Sequence, residues 1–531
     1  MAEGERWERP VMLPRLIQGG MGVGVSGWAL ARETSRHGAL GVVSGTVIDT
    51  LLVRRLAMGD PGGHLRRAMA AFPVPEVAAR VLDRYFRERA EDAAPASSPG
   101  ANEGGSDLAS GPEPGQRFKL ASMLRAKATP EREWLLVLAN FVEVYLAKEG
   151  HGGVVGINYL HKVQFPTLPS LYGAMLAGVD VVLMGAGIPG DIPPVIDSLS
   201  RHEAASVWLD VLDAGDQKYA LTFDPRAVWE GKQMGCAARR PPELRKPSFL
   251  AIVSSATLAR ALLKKAPGGI DGFVVEAPIA GGHNAPPRGV QQLSVRGEPI
   301  YGERDVVDMA QMAALGSPFW MAGGCASREQ FSAAIAGGAR GIQVGTAFAF
   351  CDESGLDPEL RRGFLARLLR GEADVFTDPL ASPTNFPFKV ASMGDSLSEA
   401  GVYEDRPRLC DLGYLRRACR KPDGTLDYRC PAEPVEDYVS KGGALEDTVG
   451  RKCLCNALVA NLGLGQRRPD TYEEPPLLTA GNDLDCIRPF ITPEKLSYHA
   501  RDVIEALVPA EYRVNVRAGA GAGVTEGARI G

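Results

Sequence analysis

Eight short apolar runs recur along this chain, at residues 14–18, 40–44, 154–158, 179–184, 249–253, 272–276, 318–322 and 341–345, with longer amphipathic segments between them. A run that is apolar on both faces belongs to a strand buried on both sides, the condition of a parallel sheet covered by helices. Strands alternating with helices mark repeated βα units, and eight such units close on themselves. The predicted fold class is therefore α/β: a (β/α)8 TIM barrel with a helical insertion after strand 2, a β-hairpin insertion and a long C-terminal extension. Two helices can be read with their ends. One spans 28–36, with Ser26 as its cap and Gly38 as its stop; the other lies over 327–336, capped by Ser327 and closed by Gly337-Gly338.

The chain has 531 residues, more than one hydrophobic core usually serves, so insertions or a second unit are expected. Residues 1–61 hold the first two strands and 151–376 the remaining six. Residues 62–150 read as a helical insertion whose spacer, about 93–115, is too rich in Ala, Pro, Ser, Gly and acids to bury a core and is expected to be disordered. Residues 205–247 alternate apolar and polar around Asp213-Ala214-Gly215-Asp216, the pattern of a hairpin laid on the barrel. The tail, 377–531, is rich in Pro, Gly and Cys, and is expected to pack across the catalytic face or to form a homodimer contact.

Charge excludes some partners. With 59 basic and 64 acidic residues the net charge is −5, and no long basic run offers itself to nucleic acid or anionic lipid. Residues 1–10 lack the apolar stretch of a secretory signal, and the apolar segment 134–139 is interrupted by Asn140 and Glu143, short of the roughly 20 residues that cross a bilayer. A cytoplasmic protein without a membrane partner is expected. Nine cysteines, an odd number without a small-domain framework, fit reduced thiols. Five of them cluster at Cys410, Cys419, Cys430, Cys453 and Cys455, but their spacing matches no zinc ribbon or iron–sulfur pattern, so buried thiols and no metal are expected.

The ends of the predicted strands carry the chemistry. Barrels place their reacting groups at the carboxyl ends of strands. After strand 6 comes Ala280-Gly281-Gly282-His283-Asn284, bare backbone beside one imidazole whose ordinary pKa suits proton removal near neutrality. His37, His64, His202 and His499 have no such setting and read as structural. Strand 7 ends in Ala322-Gly323-Gly324 and strand 8 in Gln343-Val344-Gly345-Thr346, where free amides and the Thr346 hydroxyl could wrap a phosphate. Two G-x-G-x-x-G matches, 22–27 and 185–190, invite a dinucleotide reading, but Ser44-Gly45-Thr46 stands where an acid should follow the second strand. Their glycines fit loops lying flat against a planar cofactor. Asn158 ends the third strand with an amide free to hydrogen-bond, whereas the directions of Gln18 and Gln343 need a register.

In order along the chain, Gln18-Gly19-Gly20-Met21-Gly22, Gly156-Ile157-Asn158, Gly185-Ala186-Gly187-Ile188-Pro189, Ala280-Gly281-Gly282-His283 and the two strand-end glycine sites resemble the FMN-dependent nitronate monooxygenases, also called 2-nitropropane dioxygenases. The resemblance runs from Pro14 to about Val390, insertions excepted. It implies FMN touched by Gly20, Met21, Gly22, Asn158, Gly187, Gly281, Gly282 and Gln343. It further implies phosphate at Gly323, Gly324, Gly345 and Thr346, His283 as base, and a small nitro compound with O2 as substrates, giving a carbonyl compound and nitrite. Ile279 stands where the family commonly has an acid, and Asn284 to Arg288 lengthen the loop. A longer loop also resembles flavin-dependent enoyl reductases that use NAD(P)H on acyl thioesters, so a reductase, or an FMN-binding non-catalytic partner of a biosynthetic complex, are the other readings.

Overall fold

In a computed structural model, residues 13–88, 117–266, 268–468, 470, 472–513 and 516 are described. The expected disordered spacer and the first ten residues lie outside them. All eight predicted strands form: β1 Leu16–Gln18, β2 Gly41–Ser44, β3 Val155–Leu160, β4 Val181–Gly185, β5 Ser248–Val253, β6 Gly272–Glu276, β7 Phe319–Ala322 and β8 Gly341–Val344. They make one parallel sheet in the order β1-β8-β7-β6-β5-β4-β3-β2. A parallel bridge from Ile17 to Leu40, with Gln18 N–H donating to Leu40 O at 2.9 Å and Leu40 N–H to Leu16 O at 2.9 Å, closes β1 on β2. The fold is a (β/α)8 barrel.

Alternation along each strand sorts its side chains. Ile17, Val42, Val181, Leu183, Leu250, Val274 and Trp320 fill the barrel, and the Trp320 indole N–H donates to Pro14 O at 2.9 Å at its floor. Gln18 points outward and mends the short closing seam, its Oε1 accepting from Val42 N–H at 3.0 Å.

The helix Pro130–Lys148, α1 here, packs on β2 and β3 and on five helices: Trp28–Arg36, Ile48–Ala57, His64–Ala70, Pro75–Tyr85 and the helix Thr167–Leu176, α2. Thr129 caps it by accepting from Arg132 N–H, and Pro130 opens its first turn. Asn140 and Glu143, which looked like interruptions, are satisfied inside it. Asn140 Oδ1 accepts from the Tyr159 hydroxyl at 2.9 Å, and Glu143 binds Arg55 at 2.7 Å and Trp28 N–H at 2.9 Å. No helix among the described residues is long and apolar enough to cross a membrane.

On α2, Gly173 lets the two backbones touch, since a Cβ there would sit 2.1 Å from Val137 O. Gly173→Ala is expected to destabilise the protein by about 1–3 kcal/mol through overpacking, read as a lowered midpoint in urea.

Ser327 caps the helix Arg328–Ala336 by accepting from Gln330 N–H, as expected. Ser26 does not cap the helix Trp28–Arg36; its hydroxyl instead accepts from Met21 N–H at 2.7 Å and fastens the loop after β1. The segments Ala205–Leu209 and Tyr219–Phe223 pair antiparallel, and Val211–Leu212 beside them pairs with Arg417–Arg420 of the tail. Two further tail strands, β9 Val375–Asp378 and β10 Phe388–Ala391, form an antiparallel pair.

Candidate active site

The residues singled out from the sequence come together. Gly20, Met21 and Gly22 after β1, Asn158 on β3, Gly187 after β4, Gly281, Gly282 and His283 after β6, Gly323 and Gly324 after β7, and Gln343, Gly345 and Thr346 at β8 all line one cavity of about 470 Å³ at the carboxyl ends of the strands. One detail differs from the sequence reading, and one that it left open is decided by the register. Strand β3 runs two residues past Asn158, to Leu160, and places Asn158 inward by alternation. Gln343 likewise points inward, between the outward Ile342 and Val344.

Glycine at position 20 is a packing requirement. A Cβ there would sit 2.3 Å from Asn158 Cβ, and the Asn158 amide donates to Gly20 O at 3.2 Å, so loop and strand are locked together. The oxygens Asn158 Oδ1, Asn284 Oδ1 and Gln343 Oε1 are buried beside the cavity without a protein hydrogen bond. Buried polar atoms are normally paired, so three orphans at one cavity mark a place for a polar ligand. The backbone N–H groups of Gly323, Gly324, Gly345 and Thr346 also donate to no acceptor among the described residues. The Thr346 hydroxyl oxygen accepts from Gly481 N–H at 2.9 Å, which leaves its own proton to give.

The roof came from sequence that carried no motif. Phe386, Phe388, Tyr414, Leu454, Leu458 and Leu478 of the tail line the cavity, so the tail packs across the carboxyl-end face of the barrel. It also fixes the histidine loop. His283 forms an antiparallel bridge with Phe388, Asn284 N–H donates to Pro387 O at 2.9 Å, and Lys389 N–H donates to Gly282 O at 3.0 Å.

His283 is half-buried. Its Nε2 lies 2.7 Å from Ser382 Oγ, which in turn lies 2.8 Å from Thr384 Oγ1, and the Phe388 ring stands edge-on at 4.8 Å. With Nε2–H donating along this chain, Nδ1 is left with a free lone pair. Burial, with the Lys162 ammonium as a lesser cause, pushes the imidazole down to about 4. The ring is therefore neutral throughout the physiological range. Lys162→Gln is expected to raise the His283 pKa modestly, by less than one unit, as followed by NMR titration.

Glu276 was not anticipated, although its place as the last residue of β6 was a signal. Alternation turns it inward with Val274, and it lines the cavity. Burial pushes its carboxyl up to about 7, against the pull of Lys389. Lys389 is buried, donates to Thr377 Oγ1 at 2.8 Å, and is itself held down at about 8 by burial. The cavity thus carries two titratable groups whose pKa values are pushed in opposite directions, a feature concentrated at sites of chemistry.

The nitronate monooxygenase family model matches residues 242–369, the segment that supplies β5 to β8, His283 and all four free strand-end amides. The resemblance of the chain to that family is thereby borne out. A curated relative, the probable nitronate monooxygenase of Bacillus subtilis (strain 168), is 34% identical over 116 residues, covering 22% of this chain and 31% of the relative. The match thus spans less than a third of that relative's length. Among solved structures, the nitroalkane oxidase from Streptomyces ansochromogenes aligns over 93% of this chain and 94% of its own at 16% identity and a TM-score of 0.40. FabK from Thermotoga maritima aligns over 71% and 70%, at 16% identity and a TM-score of 0.33.

Proposed function

We propose that this chain is an FMN-dependent oxidoreductase of the nitronate monooxygenase type, with His283 as the base. The observation that carries the reading is one cavity that joins a neutral, anchored imidazole to four unpaired amides at the ends of β7 and β8. Those amides suit a phosphate, and the orphaned Asn158 and Gln343 oxygens suit the N–H edge of a flavin ring. When bound, the cofactor supplies an electron acceptor that oxygen can restore. The chain does the rest: Nδ1 of His283 takes a carbon-bound proton, Ser382 holds the ring in the tautomer that can do so, and the aromatic roof excludes water.

A pKa near 4 makes His283 a weak proton acceptor, so a substrate already in its anionic form is favoured over a neutral nitroalkane. Glu276, near 7, is the alternative base, and the two separate by pH. Turnover of a neutral nitroalkane that rises through pH 4 belongs to His283; turnover that rises through pH 7 belongs to Glu276.

The deciding experiment is anaerobic reduction of the flavin-loaded protein. Bleaching by an aliphatic nitronate and not by NADPH, with nitrite formed on adding oxygen, supports the reading. Rapid bleaching by NADPH alone would convert it to a reductase, and protein that binds no flavin would end it. Mass spectrometry of the released cofactor separates FMN from FAD.

A further inference from the structure

The lengthened loop, Asn284 to Arg288, helps to build a second space next to the first. A cleft of about 20 Å³ adjoins the main cavity, and Ser254, Glu276, Asn284 and Ala285 line both. Its far wall carries Arg288, Tyr301 and Asp305, none of which lines the main cavity.

That wall is fixed by hydrogen bonds. The Arg288 guanidinium donates to Ser254 O at 2.8 Å and to Arg304 O, and the Arg288 backbone N–H donates to Asp305 Oδ1 at 2.9 Å. The Tyr301 hydroxyl donates to Ala285 O at 3.0 Å, which leaves its oxygen to accept. Arg288 itself is exposed, so the cleft runs from Glu276 to the outside of the protein.

The cleft is too small for an organic ligand and large enough for water. A water needs roughly 10–15 Å³ and about two to four polar partners. Glu276, Tyr301 and the buried Asn284 Oδ1, which has no protein partner, supply them.

The chemistry of the main cavity creates a use for such an exit. A neutral nitroalkane gives up a carbon-bound proton in each turnover, and nitrite does not retain it at neutral pH, so the proton has to leave the site. An imidazole at about 4 surrenders a proton readily, and a carboxylate at about 7 holds it about 10³-fold better. Lys389 on β10 is the charged group that acts on Glu276 from the tail, and its pull opposes the effect of burial.

We propose that Glu276 is the proton relay of this site, taking up the proton that His283 removes from the substrate and passing it to water in the cleft beside Arg288 and Tyr301. Across the relay one N–H bond at His283 Nδ1 is exchanged for one O–H bond at Glu276, and that for one on water; no electron moves. The proposal rests on the nitronate monooxygenase reading with His283 as base.

The test compares the first turnover with those that follow in Glu276→Gln, which keeps the shape of the side chain and removes the proton acceptor. Anaerobic bleaching of the flavin by a neutral nitroalkane, a single event that needs only His283, is expected at the parent rate. Steady-state turnover of the same nitroalkane in air is expected to fall by about 10-fold or more and to recover when formate is added as a small proton carrier. Turnover of the preformed nitronate, which has no proton to export, stays at the parent rate. Tyr301→Phe, outside the main cavity, is expected to show the same pattern in weaker form. Apart from turnover, the protonated Glu276 carboxyl, isolated as the infrared difference between parent and Glu276→Gln, should exchange as soon as the protein is mixed into D2O. Unchanged steady-state turnover, or a carboxyl that resists exchange, would overturn the relay. Slowed bleaching in the first turnover would overturn it as well, by making Glu276 the base. A parent protein whose flavin neither nitroalkane nor nitronate bleaches fails the underlying reading, and the relay with it.

Discussion

His283→Asn is expected to keep its flavin and lose turnover by about 10²–10⁴-fold, the range that general-base catalysis contributes. Asparagine can still bond Ser382 but offers no basic nitrogen, and the amides of Gly323, Gly324, Gly345 and Thr346 are untouched. The flavin band after gel filtration, set beside the initial rate with a neutral nitroalkane, reads both halves. Loss of flavin along with activity would make His283 a structural residue, and full activity would pass the role to Glu276.

The same substitution has a signature in stability. The imidazole ionises near 4 in the folded protein, against 6.5 for the ordinary side chain. Between those values the unfolded chain binds more protons, so stability is intact above pH 6.5 and falls as the pH drops toward 4. His283→Asn should remove an acid sensitivity of about 3 kcal/mol, seen as a flatter dependence of the urea midpoint over that window.

Asp49→Asn is expected to cost about 3–5 kcal/mol, the largest loss of stability foreseen here. Asp49 is wholly buried, and Arg132 Nη2 of α1 approaches its Oδ2 at 2.6 Å. Its other oxygen accepts from the Tyr414 hydroxyl, which belongs to the tail and to the cavity wall. Removing the charge leaves a guanidinium buried without its partner and frees a side chain of the roof, so flavin affinity should fall as well. Asp49→Leu combined with Arg132→Met should recover most of the stability, because a buried pair can be replaced by apolar groups of similar volume. Urea unfolding of the singles and the double measures it; a single variant within 1 kcal/mol of the parent would show that water reaches this pair.

Legibility varied across the chain for physical reasons. Each barrel strand is a local apolar run, and each strand-end motif adjoins its own strand, so a reader moving along the sequence meets the cavity floor piece by piece. Gln343 could not be oriented that way, because direction follows from register with β7 and β1. Glu276 was overlooked for a related reason: a carboxylate at a strand end is ordinary until burial shifts its pKa.

The sequence by itself determined the barrel, its eight strands and which loops meet at one end, because periodicity and glycine placement act over a few residues. Only the tertiary structure decided that His283 is anchored by Ser382, 99 positions away, and roofed by the tail. It alone decided that four of five dispersed cysteines share a pocket. Contacts across such separations are set by how whole elements pack, and no local pattern of residue types records them.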